Sequence, residues 1–222
     1  MNKRDNITLN SFNCRGLRDK QKRINIFTWL KRHHNGITLL QETHSALSDE
    51  VDWSREWGGK IIFSHGSTNS RGVAILIPES FKLSLEVTLT FKDNSGRILM
   101  LECNIENNKF VIINVHAPTK GKLDMQLEFF ANLKNLIDEH CDKAMIIGGD
   151  FNTYLNTRLD KKGGKPERKT VFSEYIDSMC EEFSSVDIWR VRNNDKQVFT
   201  RREMTKAGLI QSRLDYWLIS LR

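Results

Sequence analysis

Four short apolar runs in this chain stop at side chains that carry chemistry. Residues 7–12 lead into Asn13, Cys14, Arg15 and Gly16, and residues 37–40 into Gln41, Glu42, Thr43 and His44. Residues 110–115 lead into His116, Ala117 and Pro118, and residues 144–147 into Gly148, Gly149, Asp150, Phe151 and Asn152. Apolar runs of this length, closed by turn-forming or polar residues, read as buried strands, and ligands of open α/β sheets gather at strand carboxyl ends. Side chains alternate along a strand, so Asp150 and Asn152 are expected to point the same way, one able to accept a proton and the other to donate to an oxyanion. For that five-residue block alone, an Asx-turn with two capping side chains accounts for the spelling equally well. A turn requires no carboxylate or histidine, however, so four such strand ends together argue for a site.

The rest of the pattern is mixed. Ile24, Phe27 and Leu30 predict a helix after Lys20; residues 123–140 form the clearest amphipathic helix; residues 169–183 form another, with Phe172, Ile176, Met179 and Phe183 on one face. Segments 61–63, 73–77, 98–105 and 213–219 predict strands, with Asn94, Ser95 and Gly96 as a hairpin turn. Periodicity thus predicts an α/β fold, and with no linker in sight residues 1–222 read as a single domain with one sizeable core.

The motifs resemble a family. Asn13 in S-F-N-C-R-G-L, Glu42 in L-L-Q-E-T-H, the block G-G-D-F-N, and Ser212, Asp215 and Tyr216 in S-R-L-D-Y are similar in order and spacing to the exonuclease III, apurinic endonuclease and DNase I superfamily. Within it, Q-E-T-H followed by N-V-x-A-P, G-G-D-F-N and S-R-L-D-Y most resembles the endonuclease domain of non-LTR retrotransposons (long interspersed elements). The resemblance covers essentially the whole chain and implies a four-layer αββα sandwich of two mixed sheets flanked by helices. It implies that Glu42 holds a hard divalent cation, Mg2+ with Mn2+ as a substitute, and that Asn13 sits beside it. Asp150 is then expected to orient or deprotonate the attacking water, and Asn152 to hold that water or the scissile phosphate. Asp215 is expected to orient a histidine near the C-terminus. The family closes with a Ser-Asp-His segment and a last strand. No such motif follows S-R-L-D-Y here, so the chain reads as a truncated representative, and an unpaired sheet edge is expected there. His33, His34, His44, His65 and His140 match no family position, and His34 and His140 are expected at helix ends. His116 stands where the family usually has Tyr near the phosphate. Imidazole also donates to an oxyanion, with altered pH dependence; a packed strand-end residue is the plainer reading.

Charge adds a partner. Lys and Arg number 34 against 28 Asp and Glu, a net charge of +6, which favours a polyanion. Lys161, Lys162, Lys165, Arg168 and Lys169 surround Gly163 and Gly164, either as a phosphate-contacting loop or as a solvated charge run. Thr200, Arg201, Arg202, Lys206 and Gln211 flank Met204, Ala207, Gly208, Leu209 and Ile210. The resemblance makes this segment a hairpin that enters the minor groove, with Thr200 close to the target nucleotide; Arg201 replaces the family's usual aromatic. Arg15 and Ser212 complete the DNA-binding candidates. The implied function is nicking of double-stranded DNA to leave a 3′-hydroxyl that primes a reverse transcriptase domain downstream in the same polypeptide. The domain is expected to be monomeric, made in the cytoplasm, active in the nucleus and not secreted. An apurinic-site repair nuclease, a phosphoinositide phosphatase and a DNA-binding module without catalysis are the other readings. Cys14, Cys103, Cys141 and Cys180 lie far apart with no C-x-x-C pair and are expected to be reduced core residues rather than disulfides or zinc ligands. No apolar run approaches the roughly 20 residues of a membrane span.

Overall fold

The computed structural model describes residues 7–81, 84–105, 107–119, 123–164, 170–206 and 208–221. Lys165, Arg168, Lys169 and Ala207 therefore lie outside the described residues. The chain divides into two compact units, Met1–His116 and Ala117–Arg222.

In the first unit, β1 (Leu9–Asn13), α1 (Lys20–His33), β2 (Ile37–Gln41), α2 (Glu50–Trp57), β3 (Lys60–Ser64) and β4 (Val73–Ile77) build a four-stranded sheet in the order β1-β2-β4-β3. Only the β1–β2 pair is parallel. Every residue of β2 and β4 is buried, which is why both read as unbroken apolar runs rather than alternating ones. α1 starts where the Asp19 side chain accepts the Lys22 N–H at 2.6 Å, a cap worth about 1 kcal/mol. Its Phe27 and Leu30 pack with Trp53 and Trp57 of α2 over this sheet. β5 (Glu86–Lys92), β6 (Ile98–Ile105) and β7 (Asn108–His116) form an antiparallel meander. The β5–β6 connection carries the expected Asn94–Gly96 turn, and Asp93 Oδ1 accepts the N–H groups of Arg97 and Ile98 there.

The second unit contains α3 (Leu123–Asp138), β8 (Ala144–Asp150), β9 (Lys161–Lys162), α4 (Val171–Glu182), β10 (Ser185–Asp187), α5 (Ile188–Arg192), β11 (Arg201–Thr205), β12 (Gly208–Ser212) and β13 (Asp215–Ser220). α3 and α4 meet through Phe130 and Phe172, whose rings stack 5.7 Å apart. α4 begins at Val171, two residues after the expected start, because the Thr170 hydroxyl caps it by accepting the Ser173 N–H at 3.1 Å. β13 pairs antiparallel with β8 on one side and β10 on the other. It is therefore an interior strand, and the unpaired edge expected at the Asp215 strand is filled by residues 185–187. β11, β12 and β9 make a small antiparallel sheet.

His33 and His34 lie at the end of α1 and His140 just past α3, helix-end positions as expected. No disulfide joins any of the four cysteines, but only Cys14 and Cys103 are buried; Cys141 and Cys180 are half-buried and are not core residues. No described helix is long and apolar enough to cross a membrane.

Candidate active site

The parallel pairing of β1 and β2 brings two predicted residues together. Asn13 lies opposite Gln41 in the register, and Asn13 Nδ2 donates to Glu42 Oε1 at 2.9 Å. The chain just beyond is stitched to the same turn: Cys14 donates both its N–H and its thiol to the Gln41 carbonyl, each at 2.9 Å, and Gly16 N–H donates to Glu42 O at 2.6 Å. Burial pushes the Cys14 thiol up to about 12, so it remains an S–H donor. Three non-glycine residues here adopt the left-handed conformation: Arg15 at φ +48°, Glu42 at φ +54° and His44 at φ +56°. Each costs roughly 1–3 kcal/mol, and such strain persists only where the surroundings over-determine it. Gly16 makes the close approach possible, because a Cβ there would sit 2.8 Å from His44 Nδ1.

Two buried amides, Gln41 and Asn114, hold this region from below. Gln41 Nε2 donates to Asn114 Oδ1 at 2.8 Å, and Asn114 Nδ2 donates to the carbonyls of Leu40 and Ala74 at 3.0 and 2.9 Å. This bridge ties β2 and β4 to β7, fixing Glu42 one residue after Gln41 and His116 two residues after Asn114. Their signal in the sequence was a lone amide in an otherwise apolar strand. His116 Nε2 lies 3.7 Å from Glu42 Oε1. Burial first, then the Arg97 guanidinium, lowers His116 to about 4 against the opposing pull of Glu42. The ring is thus neutral at neutral pH, and its Nδ1 is buried with no hydrogen-bond partner among the described residues. Glu42 retains 32% exposure of its side chain. A half-exposed carboxylate beside an amide is an oxygen donor set that suits a hard divalent cation retaining most of its waters.

In the second unit, β8 carries the glycine pair for a steric reason. Trp217 of β13 lies against Gly148, where a Cβ would meet its ring at 2.3 Å, and Gly149 has φ +138°. Asp150 is buried, and its register partner across the antiparallel pair is Asp215. Phe151 turns inward and stacks on Tyr216 with centroids 4.2 Å apart. Asn152 corrects the expectation of simple alternation. The strand ends at Asp150, and Asn152 sits at φ +49° with its N–H donating to Asp150 Oδ1 at 2.9 Å. The Asx-turn is therefore real: with the ladder finished, the Asp150 side chain serves an N–H that no neighbouring strand reaches. Asn152 Nδ2 donates to Ala117 O at 2.8 Å, and Ala117 N–H to Asp150 O at 2.8 Å. The turn holds both side chains rather than consuming them.

Residues predicted to meet DNA converge. The register sets Arg201 opposite Ser212 and Ser212 opposite Lys161, while Arg202 faces Gln211 and Gln211 faces Lys162. Two basic rows from three separate sequence positions thus cross one small sheet, with Lys206 exposed at the β11–β12 turn. Arg15 is exposed in the β1–α1 loop of the first unit. Thr200 is more engaged than its sequence implied: its N–H donates to Ser212 O at 3.0 Å, and its hydroxyl accepts the N–H groups of Leu214 and Asp215 at 3.0 and 3.2 Å. Beneath the sheet runs a network not foreseen from sequence. Arg213 is 2% exposed; its Nε donates to Asp160 Oδ1 at 2.8 Å, its Nη2 reaches Asp187, and Arg190 also reaches Asp160. Burial works to raise the Asp160 carboxyl, but the Arg213 hydrogen bond and the Asn156 N–H outweigh it and hold it below its ordinary value.

Comparison with known proteins places this geometry. Residues 10–221 match the model of the Endonuclease/Exonuclease/phosphatase family. A 149 kDa protein of transposon TX1 from Xenopus laevis is 30% identical over 215 residues, 96% of this chain and 16% of that protein, so the chain spans about a sixth of the relative's length. Among solved structures, the AP endonuclease LMAP from Leishmania major aligns with a TM-score of 0.78 at 14% identity, covering 97% of this chain and 79% of that one. The endonuclease domain of TRAS1, a telomere-specific non-LTR retrotransposon, aligns with a TM-score of 0.68 at 14% identity, over 97% and 86% of the two chains. The fold is the mixed α/β one expected, with two large mixed sheets flanked by helices. With the family model covering nearly its whole length, this chain belongs to the Endonuclease/Exonuclease/phosphatase family, hydrolases of phosphoester bonds.

Proposed function

We propose that the chain is a Mg2+-dependent DNA endonuclease that nicks one strand of nuclear target DNA, leaving a 3′-hydroxyl that primes reverse transcription by a polymerase domain of the same polypeptide. The observation that carries this reading is the strand-end placement of Asp150 opposite Asp215 with Asn152 locked beside it. Two carboxylates facing each other across a strand pair weaken a sheet, which supports a chemical role for the pair. The retrotransposon context is supported by the transposon TX1 relative and the TRAS1 likeness.

In this mechanism Asp150 takes a proton from water as the water oxygen bonds to phosphorus and the bond from phosphorus to the 3′ oxygen breaks, and the departing 3′ oxygen takes up a proton from solvent to become the hydroxyl. The products are a 5′-phosphate and a 3′-hydroxyl. The Asn152 amide gives one N–H to Ala117 O and offers the other to the phosphate. Neutral His116 donates from its ring to a phosphate oxygen. Glu42, oriented by Asn13, holds the divalent cation, which when bound neutralises charge building on the phosphate oxygens.

Incubation with supercoiled plasmid tests this. Nicked circles with polymerase-extendable ends are expected in Mg2+, with loss of nicking in EDTA and in Asp150→Ala. Cleavage confined to an oligonucleotide with an abasic site would favour a repair nuclease, and tight binding without any nick a DNA-binding module.

A further inference from the structure

A chain of four polar side chains stands behind the Glu42 turn. Glu50 Oε1 lies 2.9 Å from His65 Nε2, His65 Nδ1 2.9 Å from Ser45 Oγ, and Ser45 Oγ 3.0 Å from Thr43 Oγ1. The order acid, imidazole, hydroxyl is that of a hydrolytic triad, but Ser45 and Thr43 are completely buried, so neither hydroxyl meets a substrate. The chain leads instead to Thr43, which sits between the two left-handed residues Glu42 and His44. Its backbone is pinned as well: Thr43 N–H donates to Gly72 O and Leu17 N–H to Thr43 O, each at 3.0 Å.

The direction of the chain follows from its ends. A carboxylate only accepts, so in the neutral form of the His65 ring the Glu50 contact places the proton on Nε2 and leaves Nδ1 bare. Ser45 must then donate to Nδ1, and its oxygen is left to accept from Thr43. Thr43 Oγ1 in turn accepts the Ser45 backbone N–H at 3.4 Å, which is consistent with its own proton pointing at Ser45. Each group donates once, toward Glu50.

We propose that His65 is a positioning residue for the divalent cation: through Ser45 and Thr43 it holds the strained turn that aims the Glu42 carboxylate. The inference rests on the functional reading of Glu42 given above. Loss of the Ser45 contact unpins Thr43, the turn relaxes, and the carboxylate loses its orientation. Partners one step behind a metal ligand commonly cost 10–100-fold in affinity when removed.

Two substitutions separate the ends of the ring. His65→Asn keeps an acceptor at the Nδ1 position, facing Ser45; His65→Gln keeps a donor at the Nε2 position, facing Glu50. Direct Mn2+ binding, followed by water-proton relaxation, is expected to weaken about tenfold in His65→Gln and by less than about threefold in His65→Asn. The half-saturating Mg2+ concentration for nicking is expected to shift in parallel, with KM for DNA unchanged. Equal effects of the two substitutions, or none, overturn the proposal. On the unsubstituted chain, nitrogen-15 NMR of His65 in its neutral form should show the Nε2–H tautomer; the Nδ1–H tautomer would overturn the relay even if both variants fail to fold. A chain that binds Mn2+ with this pattern but does not nick DNA would count against the nuclease reading and leave the positioning role standing.

Discussion

At the residue scale, the site concentrates left-handed backbone: Arg15, Glu42, His44 and Asn152 are four of the seven described non-glycine residues with positive φ. Glu42 at φ +54° is held by the Asn13 amide, the Gly16 N–H and the Thr43 anchor, none of which a stable turn requires of a glutamate. Replacing it with glycine removes strain of about 1 kcal/mol and little buried area, since the side chain is half-exposed. Glu42→Gly is therefore expected to melt at or above the wild-type temperature while nicking falls at least about 100-fold, the trade-off of a site strained for its task. A clear fall in melting temperature by differential scanning fluorimetry would show that Glu42 is a structural residue. Asn152 differs, because its left-handed backbone is tied to Asp150 by the turn itself. Asn152→Gly should keep the fold, yet remove the amide together with its Ala117 contact.

At the element scale, β13 organises the second unit: it lies between β8 and β10, sets Trp217 against Gly148 and carries Asp215 opposite Asp150. Gly148→Ala puts a methyl into an indole ring, and overpacking of this kind costs about 1–3 kcal/mol. The Arg213 network anchors the chain where it enters the same strand. Breaking it with Asp160→Asn leaves a buried guanidinium short of one partner, at about 3–5 kcal/mol. Because the Asp160 carboxyl is held below its ordinary value, its stabilisation is complete above the unfolded pKa of about 4. It disappears as pH falls through the lower folded value. The melting-temperature gap between wild type and Asp160→Asn is thus expected to be constant above about pH 5 and to close below about pH 4; a gap unchanged at pH 3 would sink this account. Much of this was legible in the sequence. Buried strands such as β2, β4 and β8 announce themselves as apolar runs with chemistry at their ends, and Gly148–Gly149 marks a crowded strand exit. The β10 strand was not legible, because three residues, Ser185, Val186 and Asp187, carry no periodicity. α2 has only Val51, Trp53 and Trp57 as apolar positions and was hidden for the same reason. Long-range polar bridges, Gln41 with Asn114 and Arg213 with Asp160, exist only after the chain has folded, so sequence spacing gives no measure of them.

At the scale of the whole molecule, a net charge of +6 says only that polyanions are favoured; where the basic groups sit decides how they act. Lys162 and Arg202 flank Gln211 in one row, and Lys161 and Arg201 flank Ser212 in the next. Arg201 is partly neutralised by Glu203 at 2.9 Å, and Lys161 lies over the Tyr154 ring at 5.7 Å. Arg202 and Lys162, both exposed, are accordingly the better phosphate contacts. A side chain that neutralises one phosphate contributes about 0.9 to the slope of log affinity against log salt. Arg202→Ala and Lys162→Ala are each expected to flatten that slope by about 1 and to weaken binding evenly across DNA sequences. Arg18→Ala, whose guanidinium is paired with Asp49 at 2.9 Å, should leave the slope unchanged. Fluorescence anisotropy of a duplex from 50 to 200 mM salt, on the order of the range where such contacts dominate, decides the matter. If all three variants share the wild-type slope, the small sheet is a solvated charge surface and DNA is gripped elsewhere; if the first two flatten it and the third does not, the sheet that β13 leads out of is the surface that holds the duplex.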